Sequence, residues 1–169
     1  HKAAAAQYQL IVTVDNGITA HTAVAEAKRL GLDVIITDHH QVHGEIPSAD
    51  VVVNPHQPDC PYPYKDFAGV GVIFKIMTLV YKHYGLEVPE KAYELLMLGT
   101  IADVVPLRHE NRYWVQKGLA HINKQRSFAV QVLAANGNVA EKAALGSKDI
   151  GFAIAPQLNA LGRLDDARE

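Results

Sequence analysis

The sequence predicts an α/β fold: a parallel β-sheet with helices on both faces, followed by a helical C-terminal part. Three observations carry that expectation. Short apolar, β-branched runs recur at residues 10–14, 34–37 and 51–53, the pattern of strands buried on both faces. The first two runs flank a segment with helical periodicity, so strand, helix and strand make a right-handed βαβ unit with parallel strands. From residue 68 onward the apolar spacing is mostly helical.

The elements follow in order. Residues 1–9, with Lys2, a run of alanines and Gln7, read as the tail of a helix. The strand at 10–14 ends in Asp15-Asn16-Gly17, a carboxylate followed by a tight turn. Thr19 is the expected N-cap of a helix carrying Ala20, Ala23, Val24, Ala27 and Leu30, and Gly31 closes it. The next strand ends in Asp38-His39-His40, and the third stops at Pro55. Residues 55–67 are rich in proline and aromatic side chains and read as irregular. Ala68-Gly69-Val70-Gly71-Val72 then leads into a helix that Gly85 ends. No strand precedes these glycines and no lysine follows them as in a phosphate loop, so close helix packing is their expected role.

Pro89 opens the next helix, which runs through Tyr93, Leu95, Leu96 and Leu98 into Gly99-Thr100-Ile101-Ala102-Asp103-Val104-Val105-Pro106-Leu107. Further helices are expected over 111–123, over 128–135, and from Lys148 with Ser147 as N-cap. Residues 157–163 contain the small Gly162 and an isolated Arg163. They read either as backbone brought close to an anion or as a plain helix terminus. With no repeats, low-complexity segments or flexible linkers, a single domain over residues 1–169 is expected.

Composition narrows the function classes. The chain has 169 residues, 49% of them hydrophobic, enough for a sizeable core. A net charge of −2 supplies no global basic field, so contact with a polyanion must come from a local patch or a bound metal. The one cysteine, Cys60, cannot form an internal disulfide and argues against a thiolate metal site. No apolar run reaches the ~18 residues of a membrane helix. A soluble, cytoplasmic protein without a membrane partner is expected.

Two adjacent imidazoles behind an aspartate, on the lip of a buried strand, are hard to attribute to packing. Side chains alternate along a strand, so both rings share one site only if the chain bends. Strand C-terminal ends supply such bends, and open α/β sheets bind ligands there. Asp15 ends the neighbouring parallel strand at the same sheet edge. The competing reading of each motif is an ordinary polar turn. Asp103 is a lone carboxylate in an apolar stretch, whose burial would require a cation or a donor. An N-cap or an ion pair with Arg108 is its alternative.

Taken together, these residues resemble a known family. Val14-Asp15-Asn16-Gly17, Asp38-His39-His40, the stretch from Gly99 to Leu107, and Ala155-Pro156-Gln157-Leu158-Asn159-Ala160-Leu161-Gly162-Arg163 resemble successive motifs of the DHH phosphoesterase superfamily. Within it, the likeness is to bacterial single-strand-specific DNA exonucleases of the RecJ type. Asn54-Pro55, Asp59-Cys60-Pro61-Tyr62-Pro63 and Ala68-Gly69-Val70-Gly71 are similar to that group as well. The resemblance implies a DHH-type, Rossmann-like fold and a two-metal phosphodiesterase. Such an enzyme uses Mn²⁺ or Mg²⁺ to trim single-stranded DNA from its 5′ end, in DNA repair and recombination. It implies Asp15, His39 and Asp103 as metal ligands and His40 as the group that reaches the scissile phosphate. Asp38 would support His39, and Asn159 and Arg163 would contact substrate.

Two departures qualify the likeness. The family's Asp-x-Asp motif and its C-terminal domain have no counterpart here, so the expectation is a truncated domain with an incomplete two-metal site, binding at most one cation and weak alone. Gln157 stands where the family usually has arginine. Two alternatives stay open: a small-substrate phosphodiesterase (nanoRNA or cyclic dinucleotide) or pyrophosphatase of the same superfamily, and a non-catalytic binding or scaffold domain.

Overall fold

The computed structural model describes residues 1–164, with side chains through residue 160. The fold is α/β, with a parallel three-stranded sheet and several helices. The chain divides into two compact units, His1–Leu79 and Val80–Glu169.

The first unit holds α1 (Lys2–Ala5), β1 (Leu10–Val14), α2 (His21–Arg29), β2 (Asp33–Thr37), β3 (Val51–Val53) and the start of α3 (Gly69–His83). The sheet order is β1-β2-β3, all parallel. Val14 pairs with Thr37 and Thr37 with Val53, so the three strands end level with one another. Val34 and Ile36 point from β2 into a core shared with Val24, Ala27 and Leu32, and Ile11 and Val52 pack against it. Alternation sends Leu10, Val12 and Val14 to the other side of β1, where they are 42–47% exposed. The expectation of burial on both faces therefore fails for β1. A β-branched run looks the same on a half-covered edge strand as in a sheet centre.

Two helix starts also differ from expectation. Thr19 lies in a turn instead of capping α2: the Ala20 N–H bonds to the Gly17 carbonyl at 3.0 Å, and Ala20 takes the cap position. Gly31 does close α2, at φ +77, and Gly85 follows α3 at φ +65.

The second unit is helical: α4 (Glu90–Ala102), α5 (His109–Lys124), α6 (Phe128–Asn136), α7 (Ser147–Asp149), a π-helical turn (Ile150–Ile154) and α8 (Ala155–Leu164). Met97, Val115, Ile122, Val130, Leu145, Ile150 and Ile154 form its core. Gly118 lets α5 lie against α4, because a Cβ there would stand 2.5 Å from the Tyr93 carbonyl oxygen. Ser127 caps α6, accepting the Val130 N–H and donating its hydroxyl to the buried Glu94 at 2.8 Å. Gly146, not Ser147, occupies the cap of α7, where its N–H meets Asp149 Oδ2 at 2.9 Å. Residues 155–164 are helical, continuing from the π turn; that turn stops two residues before Pro156, which has no N–H for the ladder.

Candidate metal centre

The level strand ends dictate where the polar residues fall. Asp15, Asp38 and Asn54 each follow the last residue of a strand. The Asp15 N–H bonds to the Thr37 carbonyl and the Asp38 N–H to the Val53 carbonyl, both at 3.0 Å. The sheet ladder thus extends one residue into the site.

Asp15 departs from the strand at φ +67, in the left-handed region that residues other than glycine rarely adopt. The turn behind it is fixed locally: Asn16 Nδ2 donates to the Val14 carbonyl at 3.1 Å, and the Thr13 hydroxyl donates to the Asn16 carbonyl at 2.7 Å. Gly17 has φ +112, and a Cβ there would come within 2.8 Å of Thr13 Oγ1. The outcome is a carboxylate, about half exposed, turned toward the end of β2.

Asp38 is 1% exposed and acts as the hub. Its Oδ2 accepts the Ile18 N–H at 2.9 Å, which ties the loop after β1 to the loop after β2. Its Oδ1 accepts the His39 N–H at 2.7 Å and the His40 N–H at 3.2 Å, and lies 2.7 Å from His40 Nδ1. Burial pushes the Asp38 carboxyl up, but these donors more than offset it, and its pKa lies below the usual value. The sequence assigned Asp38 to support His39. In the structure its carboxylate meets the His39 backbone N–H and, with the chain bending at His40, the His40 ring as well. With Nδ1 held by a carboxylate, His40 presents Nε2 as its outward ring atom.

The His39 ring turns the other way, with Nε2 2.9 Å from Asp15 Oδ1. The two imidazoles stand 4.5 Å apart between centroids. One ligand-capable atom from each of Asp15, His39 and His40 lies within 4.8 Å of the others. A single ion with bonds of ~2.0–2.3 Å reaches ligand atoms spread over about that distance. Carboxylate with imidazole is a donor set that suits Mn²⁺, and Mg²⁺ less well. The residues present therefore fit a divalent cation.

Three participants escaped sequence reading. Asn54, 2% exposed, donates from Nδ2 to the His40 carbonyl at 2.9 Å and accepts the His56 N–H at 2.8 Å. It clamps the turn that carries His40; Asn54-Pro55 was visible as a motif, but its role was not. His56 stands within electrostatic reach of His39, and Gln41 Nε2 lies 3.2 Å from its Nδ1. Burial lowers the His56 pKa, and the His39 charge adds to the effect. The third is the Ile18 amide, which no side-chain pattern reveals.

The remaining sequence candidates belong to the second unit. Asp103 is the C-cap of α4, with its N–H on the Gly99 carbonyl at 3.0 Å. It is exposed, so the burial argument raised for it does not hold. Asn159 is exposed on α8. Gln157 Nε2 donates to the Leu133 carbonyl at 2.9 Å, a packing contact. The Arg163 side chain lies outside the described residues.

Comparison with known proteins gives a consistent picture. Residues 2–100 match the DHH family, N-terminal domain. Over 162 residues the chain is 43% identical to the single-stranded-DNA-specific exonuclease RecJ of Bacillus subtilis, covering 95% of this chain and 20% of that protein. A crystal structure of exonuclease RecJ bound to manganese matches with a TM-score of 0.82 at 33% identity, over 99% of this chain and 42% of the other. RecJ from Thermus thermophilus in complex with Mg²⁺ matches with a TM-score of 0.60 at 27% identity, over 96% of this chain and 28% of the other. The chain thus spans about a fifth of the length of its Bacillus subtilis relative. Among the described residues, no helix is long and apolar enough to cross a membrane.

Proposed function

The chain belongs to the DHH family, and from that premise we propose that it is the catalytic core of a metal-dependent phosphodiesterase, a 5′→3′ single-stranded DNA exonuclease of the RecJ type. One observation carries the reading: Asp15, His39 and His40 bring a carboxylate and two imidazoles within 4.8 Å at the ends of parallel strands. A divalent cation held there, Mn²⁺ or Mg²⁺, would supply positive charge for the phosphate and a more acidic water.

The chain's own groups have separate tasks. Asp15 and His39 hold the cation, and Asp103 is proposed as a further ligand. His40, its Nδ1 fixed by Asp38, offers Nε2 to a phosphate oxygen. Asn159 and Arg163 are proposed to contact the DNA strand. The greater length of the relatives leaves room for a second domain to complete the groove, where stacking and basic contacts bind single strands. A cytoplasmic role in DNA repair and recombination is part of the same proposal.

The test is a Mn²⁺-supplemented assay offering 5′-phosphorylated single-stranded DNA, dinucleotides and pyrophosphate. The expected result is slow hydrolysis of the DNA strand in preference to the small substrates, stopped by EDTA. Preference for dinucleotides or pyrophosphate would contradict the exonuclease reading and favour a small-substrate enzyme.

A further inference from the structure

We infer that Gly69 is a positioning residue for the metal ligand Asp15: the missing side chain at the first residue of α3 sets where the Asp15 carboxylate stands. This rests on the reading of Asp15 as a metal ligand. The geometry is steric. A Cβ added to Gly69 would lie 2.5 Å from Asp15 Cβ and 2.6 Å from Cγ, and would strike Oδ1 as well. Non-bonded carbons settle at about 3.5–4.0 Å, so an ordinary side chain here requires a displacement of roughly 1 Å.

Asp15 cannot absorb that displacement by rotating. Its Cβ is among the atoms struck, and rotation about χ1 leaves Cβ in place. Its backbone is pinned from both directions: the N–H is bonded to Thr37 in β2, and φ is +67. The start of α3 is held too, with the Gly71 and Val72 N–H groups on the Ala68 carbonyl at 2.8 and 3.2 Å. Gly69 is itself buried. An alanine at 69 must therefore push the end of β1 away from α3 and carry the carboxylate with it. Metal–ligand distances hold to about ±0.2 Å, so a shift near 1 Å takes Asp15 out of reach of an ion held by His39. The two glycines of this motif read in the sequence as helix packing. The first packs against a side chain of the site.

The experiment combines Mn²⁺ calorimetry with metal-free thermal melts on four proteins: wild type, Gly69→Ala, Asp15→Gly and the double variant. Gly69→Ala is expected to weaken Mn²⁺ binding about tenfold or more, the scale seen when support for a ligand is lost. In the Asp15→Gly background the struck Cβ, Cγ and Oδ1 are all gone, so adding Gly69→Ala should leave the melting temperature unchanged. Wild-type Mn²⁺ affinity in Gly69→Ala would overturn the inference. So would equal destabilisation in both backgrounds, which marks a general helix effect. Should Gly69→Ala fail to fold, the double variant decides: a melt restored to that of Asp15→Gly supports the contact, and a double variant that also fails to fold overturns it. If Asp15→Gly alone leaves Mn²⁺ affinity intact, the metal-ligand reading fails instead.

Discussion

His39→Ala should reduce Mn²⁺ affinity by at least about 100-fold and remove metal-dependent hydrolysis with it, while the fold persists. The magnitude follows from what is lost. Weakening the support of a ligand typically costs 10–100-fold in affinity, and removing the ligand itself costs more. His39 also holds the position facing Asp15, with Nε2 2.9 Å from Oδ1. Without the imidazole, Asp15 loses the partner with which it holds the cation. The His39 backbone N–H still reaches Asp38 in the variant, so the turn keeps its main-chain bond. Calorimetry with Mn²⁺ and circular dichroism check the two halves of this expectation. A folded His39→Ala protein that binds Mn²⁺ like wild type would place the cation elsewhere.

Asp38→Ala should be the most destabilising single change in the centre. It strips the acceptor from three backbone N–H groups, those of Ile18, His39 and His40, and from the His40 ring. Each buried donor left without a partner costs about 1–3 kcal/mol. Removing one member of a buried charged network costs about 3–5 kcal/mol. At about 2–4 °C per kcal/mol for a protein of this size, the melting temperature should fall by roughly 10 °C. Asp38→Asn keeps the shape and one acceptor oxygen, so it should fall by less. The same change frees the His40 ring, so hydrolysis should drop further than stability alone accounts for. Thermal melts of both variants test this, and a melting temperature within a degree or two of wild type for Asp38→Ala would show that the hub is not structural.

The parts of this centre that the sequence revealed are those encoded in local pattern. β-branched runs marked the three strands, and turn residues marked their ends. Parallel topology then placed Asp15 and Asp38-His39-His40 on one edge, because a βαβ unit leaves both strands pointing the same way. What stayed hidden depends on contacts between distant segments. Nothing in the run Leu10–Val14 says that it is an edge strand with Leu10, Val12 and Val14 half exposed. Nothing around Thr19 says that a turn at Gly17 delays α2. Asp103 sits in apolar sequence yet is exposed, because the helix ends there and turns its C-cap outward to water. Which imidazole Asp38 holds was undecidable from three consecutive letters, since it depends on the bend at His40. The clamp of Asn54 on His40 and the contact of Gly69 with Asp15 join residues far apart in the chain.

The centre's defining claim is that Asp15 and His39 share a cation beside the His40 ring. The direct measurement is an anomalous difference map from crystals grown with Mn²⁺, collected on the manganese side of its absorption edge. The account predicts a peak at ~2.0–2.3 Å from an Asp15 carboxylate oxygen and from His39 Nε2, with His40 Nε2 facing the same space. A peak that touches neither Asp15 nor His39, or no peak from protein that calorimetry shows to be Mn²⁺-saturated, would contradict it.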